Sequence, residues 1–264
     1  MKTKLIDEFI PVYGPVKSWR YGRSLGIDPI GKISTCSFNC VYCQLGEIEQ
    51  KISDRSIYVS TAKILLELEK FAPWDVDIIT LSGSGEPTLA LNLQEILQET
   101  KKLTNKPTLV LTNCTTLTNP EVRLALTLAD KVSIKIDAVN QRQLQGINRP
   151  AETFQLSGIW EGIQKFREKY QGKLAIQTMM LSPWNTQAKA QYIRSIKSLK
   201  PDEIQLNTPT RPKPLKHQLD ARGNHTEFHP YAVQKLKCVT QDVLQEFANE
   251  IYINTNIPVR YKQK

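Results

Sequence analysis

The sequence predicts an α/β fold built on a mainly parallel sheet. Short apolar, β-branched runs alternate with amphipathic helical stretches along the 264 residues. The runs are bounded by turn residues, as buried parallel strands are. Chemically unusual side chains stand just after the runs, where parallel α/β sheets bind their ligands. Hydrophobic residues make up 40% and charged residues 23% of the chain, a balance that supports a sizeable core and excludes wholesale disorder.

The elements follow in order. The first strand candidate, around Ile27 to Thr35, is the weakest, because Pro29 and Gly31 interrupt it. STAKILLELEKF (60–71) opens with a capping Ser60 and sets Ile64, Leu65 and Leu68 on one side of a helix. VDIITLSG (76–83) is a strand, and LNLQEILQETKKL (91–103) a helix with Asn92 at its cap. PTLVLTN (107–113) repeats the strand pattern. NPEVRLALTLA (119–129) has Asn119 at the cap and Pro120 at the first helical position. Strands KVSIKIDA (131–138), KLAIQTMML (173–181) and EIQLNTP (203–209) alternate with helical patterns over 153–170, 186–199 and 230–249. Such alternation implies right-handed crossovers. Roughly six units fit, fewer than the eight of a closed barrel. A doubly wound open sheet is the other solution, and periodicity does not separate the two.

No apolar run reaches the roughly 18 residues of a membrane-spanning helix. The opening MKTKLIDEFIPVYGP carries acids and prolines where a signal peptide needs an apolar stretch, so a cytoplasmic chain with no membrane partner is expected. Lys and Arg outnumber Asp and Glu by 35 to 26, a net charge of +9 that suits anionic partners, nucleic acid among them.

Of five cysteines, Cys36, Cys40 and Cys43 crowd into one C-x3-C-x2-C loop, while Cys114 and Cys238 stand alone. In a chain of this size clustered thiols point to a metal or cluster rather than to a disulfide framework. Thiolates at this spacing wrap a soft metal centre. A [4Fe–4S] cluster commonly takes four cysteines; three leave one iron open to substrate or cofactor. A zinc site would want a second C-x2-C pair, and none is present.

The C-x3-C-x2-C loop with aromatic Tyr42 before its last cysteine, followed by Ser-Gly-Ser-Gly-Glu-Pro-Thr-Leu (82–89), resembles the radical S-adenosylmethionine superfamily. Tyr-Gly-Pro-Val (13–16), Gly22-Arg23-Ser24-Leu25-Gly26, Cys43-Gln44-Leu45-Gly46 and Asn148-Arg149-Pro150 look like its bacterial branch of iron–sulfur oxidoreductases related to wyosine-base synthases of tRNA. The likeness covers roughly residues 15–212.

It implies a partial (β/α)6 TIM-like barrel at 25–212, an N-terminal extension at 1–24 and a C-terminal helical extension at 213–264. It also implies a [4Fe–4S] cluster held by Cys36, Cys40 and Cys43 and chelated at its fourth iron by S-adenosylmethionine. One electron from a reducing partner such as flavodoxin or ferredoxin would then give a 5′-deoxyadenosyl radical that takes a hydrogen atom from the substrate. The expected function is therefore a radical enzyme acting on an RNA base, with tRNA foremost, or on a small metabolite or peptide. A wyosine reaction itself is opposed by the lack of any cysteine before Cys36. A bare electron carrier and a zinc-stabilised nucleic-acid binder are the other classes considered.

By the same resemblance Gly83, Gly85 and Glu86 lie against the methionine amino group, and glycine backbone and carboxylate acceptors suit an ammonium. Thr112-Asn113 resembles the family's Thr-Asn-Gly turn, with Cys114 in place of the glycine. Lys135 and Asp137, two residues apart on one strand face, would contact the ribose and sulfonium region. Tyr42 joins this cofactor set. Arg20, Arg23, Arg149 and Arg211 are candidate oxyanion ligands, and Gln177 and Asn207 candidate polar contacts. His217, His225 and His229 stand among turn residues that favour loop over a metal-binding helix. No catalytic side chain is singled out.

Overall fold

A computed structural model describes residues 9–151, 154–223 and 229–262. β1 (Val12–Ser18) and β2 (Gly22–Ile27) form an antiparallel hairpin. β3 (Thr35–Cys36) and β4 (Gln50–Lys51) pair as a short parallel ladder around the cysteine loop. Next come α1 (Thr61–Glu69), β5 (Ile78–Leu81), a 3-10 turn at Pro87–Leu89, α2 (Leu93–Thr104), β6 (Thr108–Thr112), α3 (Pro120–Leu126) and β7 (Lys131–Lys135). α4 (Gln141–Gln143) runs into a π-helical turn, Leu144–Asn148, followed by α5 (Leu156–Lys169), β8 (Lys173–Met179), α6 (Thr186–Leu199) and β9 (Glu203–Asn207). The C-terminal part holds β10 (Lys213–Pro214), a 3-10 turn at Leu219–Arg222, β11 (Val233–Gln234), α7 (Gln241–Thr255) and β12 (Val259–Tyr261).

Eight strands form one sheet in the order β1-β2-β5-β6-β7-β8-β9-β12, parallel everywhere except in the β1–β2 hairpin. From β2 to β9 the strands follow chain order, with helices in the crossovers. A doubly wound sheet reverses its strand order at a switch point; this one does not, and it curls into an open half-barrel. β1 and β12 are its two edges, supplied from outside 25–212. Arg260 of β12 spans the seam, donating to the carbonyls of Trp19 at 2.8 Å and Arg20 at 3.2 Å while lying 3.5 Å from Glu203.

The apolar runs become strands because both faces are covered. All four residues of β5 are buried, and Ile64 and Leu68 of α1, Ile96 and Leu97 of α2 and Ile163 and Phe166 of α5 close over the sheet. Removing that surface from water is the main force holding the layers together. Two of the three expected caps form: Ser60 accepts from the Lys63 N–H and Asn119 from Glu121. Asn92 does not cap its helix, because its amide is turned to Val59 O at 3.1 Å and Thr61 Oγ1 at 3.0 Å as a donor. Asn185, which the sequence pattern did not single out, caps α6 by accepting from Ala188.

A carboxylate just before three of the strands accepts from an N–H at the start of the neighbouring strand. Asp77 accepts from Arg23 at 2.7 Å, Asp130 from Thr108 at 2.9 Å and Asp202 from Leu174 at 2.9 Å.

Two further sequence expectations are corrected. The first of the parallel strands is β2, Gly22–Ile27, rather than a run around 27–35. Asp28 ends it by accepting from the N–H groups of Ile30 at 3.0 Å and Gly31 at 3.2 Å. The last helix starts at Gln241 rather than 230, because Val233 and Gln234 pair with β10 and Thr240 supplies the cap, accepting from Val243. Among the described residues no helix is long and apolar enough to cross a membrane.

Candidate active site

The cysteine loop follows β2 and covers the carboxyl end of the half-barrel. Two neighbouring segments hold its backbone. The Thr35 N–H donates to Ser84 O at 3.0 Å and the Glu86 N–H to Thr35 O at 3.1 Å, which pins the loop to the glycine turn after β5. The Asn39 N–H donates to Asn148 O at 3.0 Å and the Val41 N–H to Ile147 O at 2.9 Å, which pins it to the π-helical turn. Gly85 is obligatory: a Cβ there would lie 1.7 Å from the Thr35 carbonyl oxygen. Gly83 has φ +120°, and its Cβ would lie 2.3 Å from the Asp28 carboxyl carbon.

Cys36, Cys40 and Cys43 are free and half-buried. Burial pushes all three thiols up, Cys40 to about 12, with Glu86 adding to the rise at Cys36 and Asp137 at Cys40. The sulfurs nonetheless accept N–H donors. Cys36 Sγ takes the Phe38 N–H at 3.4 Å and Asn113 Nδ2 at 3.5 Å, and Cys40 Sγ takes Asn148 Nδ2 at 3.4 Å. Donors aimed at sulfur suit thiolates, and buried thiolates call for a cationic centre. Among the described residues no three His, Cys, Asp or Glu side chains converge as ligands of one metal ion do.

Glu86 is buried beside the loop. Its carboxylate accepts from the Thr88 hydroxyl at 2.6 Å and from the N–H groups of Thr88 at 3.2 Å and Asn113 at 2.7 Å. Burial raises its pKa despite these bonds. Thr112 Oγ1 accepts from the Cys114 N–H at 3.0 Å, and Asn113 Nδ2 also donates to Ser37 at 3.0 Å.

On the other side of the loop, Asp137 is fully buried at the end of β7. It accepts from the Tyr42 hydroxyl, from the Met179 N–H at 2.7 Å and from Asn148 Nδ2 at 3.0 Å. Lys135 Nζ lies 3.3 Å from Asp137 and 4.8 Å from the centre of the Tyr42 ring. Lys135 and Asp137 are thus brought together as an ion pair against the aromatic residue of the cysteine loop.

A chamber of about 520 Å3 runs from this loop into the half-barrel. The three cysteines, Tyr42, Gly83, Gly85, Glu86, Thr112, Asn113 and Lys135 line it, and so do Gln177, Asn207, Arg20 and Arg211. Other candidates lie elsewhere. Arg23 pairs with Asp75 at 2.5 Å, in an exposed contact, and Arg149 is exposed. Cys114 is fully buried with φ +69°, the left-handed conformation that a glycine would take there, and burial pushes its thiol well up. Cys238 is exposed and donates to Pro209 O at 3.0 Å. His217 lies 3.8 Å from Glu49, the His229 ring is 5.5 Å from that of Tyr231, and His225 falls outside the described residues.

Asn148 was not singled out as a site residue. Its amide touches Cys40, Tyr42 and Asp137. The only sequence signal was its place in the Asn-Arg-Pro element.

A partial parallel barrel with a three-thiol loop over the carboxyl ends of its strands defines a class. Residues 31–194 match the model of the Radical SAM superfamily, and the chain belongs to that superfamily. It is 58% identical over 255 residues to a UPF0026 protein of Synechocystis sp., covering 96% of each chain. It is 34% identical over 211 residues to a UPF0026 protein of Methanocaldococcus jannaschii, covering 78% of this chain and 65% of that one. Among solved structures, Streptococcus suis SuiB bound to S-adenosylmethionine superposes with a TM-score of 0.61 at 14% identity, over 87% of this chain and 48% of SuiB. That likeness is one of fold. The protein is an enzyme of a class that works with a [4Fe–4S] cluster and S-adenosylmethionine. The buried sulfurs with amide donors, and the buried carboxylate of Glu86 beside them, fit those two groups.

Proposed function

We propose that Cys36, Cys40 and Cys43 alone hold the [4Fe–4S] cluster, that S-adenosylmethionine binds beside it, and that a substrate in the half-barrel chamber gives up a hydrogen atom. Bound together, cluster and cofactor supply a carbon-centred radical by one-electron cleavage of a sulfonium bond. The chain's own residues do the rest. Glu86 and the backbone at Gly83 and Gly85 accept from the methionine ammonium. Thr112 and Asn113 brace Glu86 and the Cys36 sulfur. Lys135 and Tyr42, both held by the buried Asp137, present a charged and aromatic face to the nucleoside end. The strands wall the chamber in which cofactor and substrate would meet. The observation that carries this reading is the three-thiol loop with N–H donors on its sulfurs, opening onto a chamber inside the barrel.

The substrate we infer is an RNA base, tRNA foremost, and the electron donor a flavodoxin or ferredoxin in the cytoplasm. The net charge of +9 supports an anionic macromolecule. A base would enter singly, turned out of its helix. Anaerobic reconstitution followed by reduction with S-adenosylmethionine present tests the cofactor reading. About four irons per chain and formation of 5′-deoxyadenosine are expected, and each of Cys36→Ala, Cys40→Ala and Cys43→Ala abolishes cleavage. Retained cleavage in any of the three overturns the assignment. A tRNA nucleoside profile with and without the protein tests the substrate; an unchanged profile moves it to a metabolite or peptide.

A further inference from the structure

The chamber contains three hydrogen-bond donors with no acceptor. Among the described residues, Arg20 Nε, Ser133 Oγ and Gln177 Nε2 are each buried and unpartnered, and all three residues line the same space. They arrive from separate elements: Arg20 from the β1–β2 turn, Ser133 from the middle of β7 and Gln177 from β8. Buried polar groups are nearly always satisfied, so donors left open around one cavity call for a ligand that brings acceptors.

Charge says which acceptors. Six basic side chains line the chamber, Lys17, Arg20, Lys135, Arg211, Arg222 and Lys262, against one acid, Glu86. Lys135 is paired with Asp137 at 3.3 Å and Arg222 with Asp28 at 2.8 Å. Lys17 and Lys262 are exposed. That leaves Arg20 and Arg211, which form no ion pair among the described residues. Arg211 is engaged by the cysteine loop, donating to Gln44 Oε1 at 3.0 Å. Arg20 lies over the Trp19 ring at 5.4 Å. Burial lowers its pKa, and the like charge of Arg211 contributes.

We propose that the chamber takes a substrate bearing an oxyanion, carboxylate or phosphate, which docks on the Arg20 guanidinium with Ser133 and Gln177 as neutral donors. A guanidinium fork matches either oxyanion in two-pronged fashion. The volume of about 520 Å3 lies in the usual range for a small-molecule site. The oxyanion belongs to the substrate and not to S-adenosylmethionine, which also carries a carboxylate. Arg20 precedes β2 and the cysteines follow it, so the six residues of that strand, about 20 Å of chain, separate the arginine backbone from the loop. Opposite anchorage holds the substrate between Arg20 and the reacting end of the cofactor. The inference rests on the cofactor reading above.

Calorimetric titration of the reconstituted holoenzyme, with S-adenosylmethionine present, uses inorganic phosphate in one arm and succinate in the other. One arm saturates on the wild type, and which one does so names the oxyanion. Arg20→Gln weakens that anion by about tenfold or more and Gln177→Leu weakens it less, while S-adenosylmethionine affinity stays within about twofold. Arg20→Lys, which keeps the charge and loses the fork, serves if Arg20→Gln does not fold, and weakens the anion as well. The proposal is overturned if neither anion binds, if binding is unchanged in Arg20→Gln or Arg20→Lys, or if cofactor affinity falls together with anion affinity. Iron content and 5′-deoxyadenosine formation in the same preparation separate that outcome from a failed cofactor reading.

Discussion

Asn148 donates one N–H to a sulfur 108 residues away in sequence, and in doing so acts on the charge of the centre proposed there. Hydrogen bonds to thiolate ligands stabilise the reduced, more negative cluster and raise its potential. Asn148→Leu should therefore shift the midpoint potential to more negative values in a redox titration while iron content stays the same; an unshifted potential would deny Asn148 this role. Nothing in its residue type announced this. Asparagine is an ordinary turn residue, and its contact with Cys40 exists only because the π-helical turn carries it onto the loop. The cysteines were legible because their spacing is itself chemical information. Cys114 was legible in a weaker sense, as the residue in the glycine place of the Thr-Asn-Gly turn, whose left-handed backbone it keeps.

At the scale of elements, polar side chains fasten the strand starts. Burial raises the carboxyls of Asp130 and Asp202, but bonds to Lys101 and Thr108, and to Leu174 and Lys173, outweigh it and hold both below the usual range. A depressed carboxylate contributes stability that is present above its unfolded value of about 3.9 and is lost as pH falls through the lower folded value. Urea unfolding should thus show stability dropping below about pH 4. Asp202→Asn should lose about 0.5–1 kcal/mol at neutral pH, the smaller figure allowing for solvent screening, and should flatten that acid limb. An unaltered acid limb would show that the clamp carries no stability. Gly85→Ala tests the join between the β5 glycine turn and the cysteine loop. With Thr35 O in the way, a cost of about 1–3 kcal/mol in unfolding is expected, together with loss of iron on reconstitution. Wild-type stability and iron content would contradict the join. The apolar runs gave away β5 to β9. β2 was placed too late: its run Gly22–Ile27 holds two glycines and little apolar side chain, and Gly26 is there because the Tyr13 ring packs on it, where a Cβ would lie 2.3 Å away.

For the whole molecule, chain-order strands make a curled half-barrel, and the curl puts residues from seven strands of the sheet around one chamber. Sequence periodicity allowed either a barrel or a doubly wound sheet, since both bury the same alternating runs; strand order decided between them, and strand order is a tertiary property. The seam held by Arg260 was likewise invisible, because it joins two ends of the chain through backbone carbonyls. The account depends on three thiols holding a cluster whose remaining iron is open to the cofactor. Electron paramagnetic resonance of the reduced, reconstituted protein, recorded with and without S-adenosylmethionine, tests it directly. A [4Fe–4S] signal that changes when the cofactor is added is the predicted result; a signal indifferent to it, or a reconstituted protein without iron, would contradict the account.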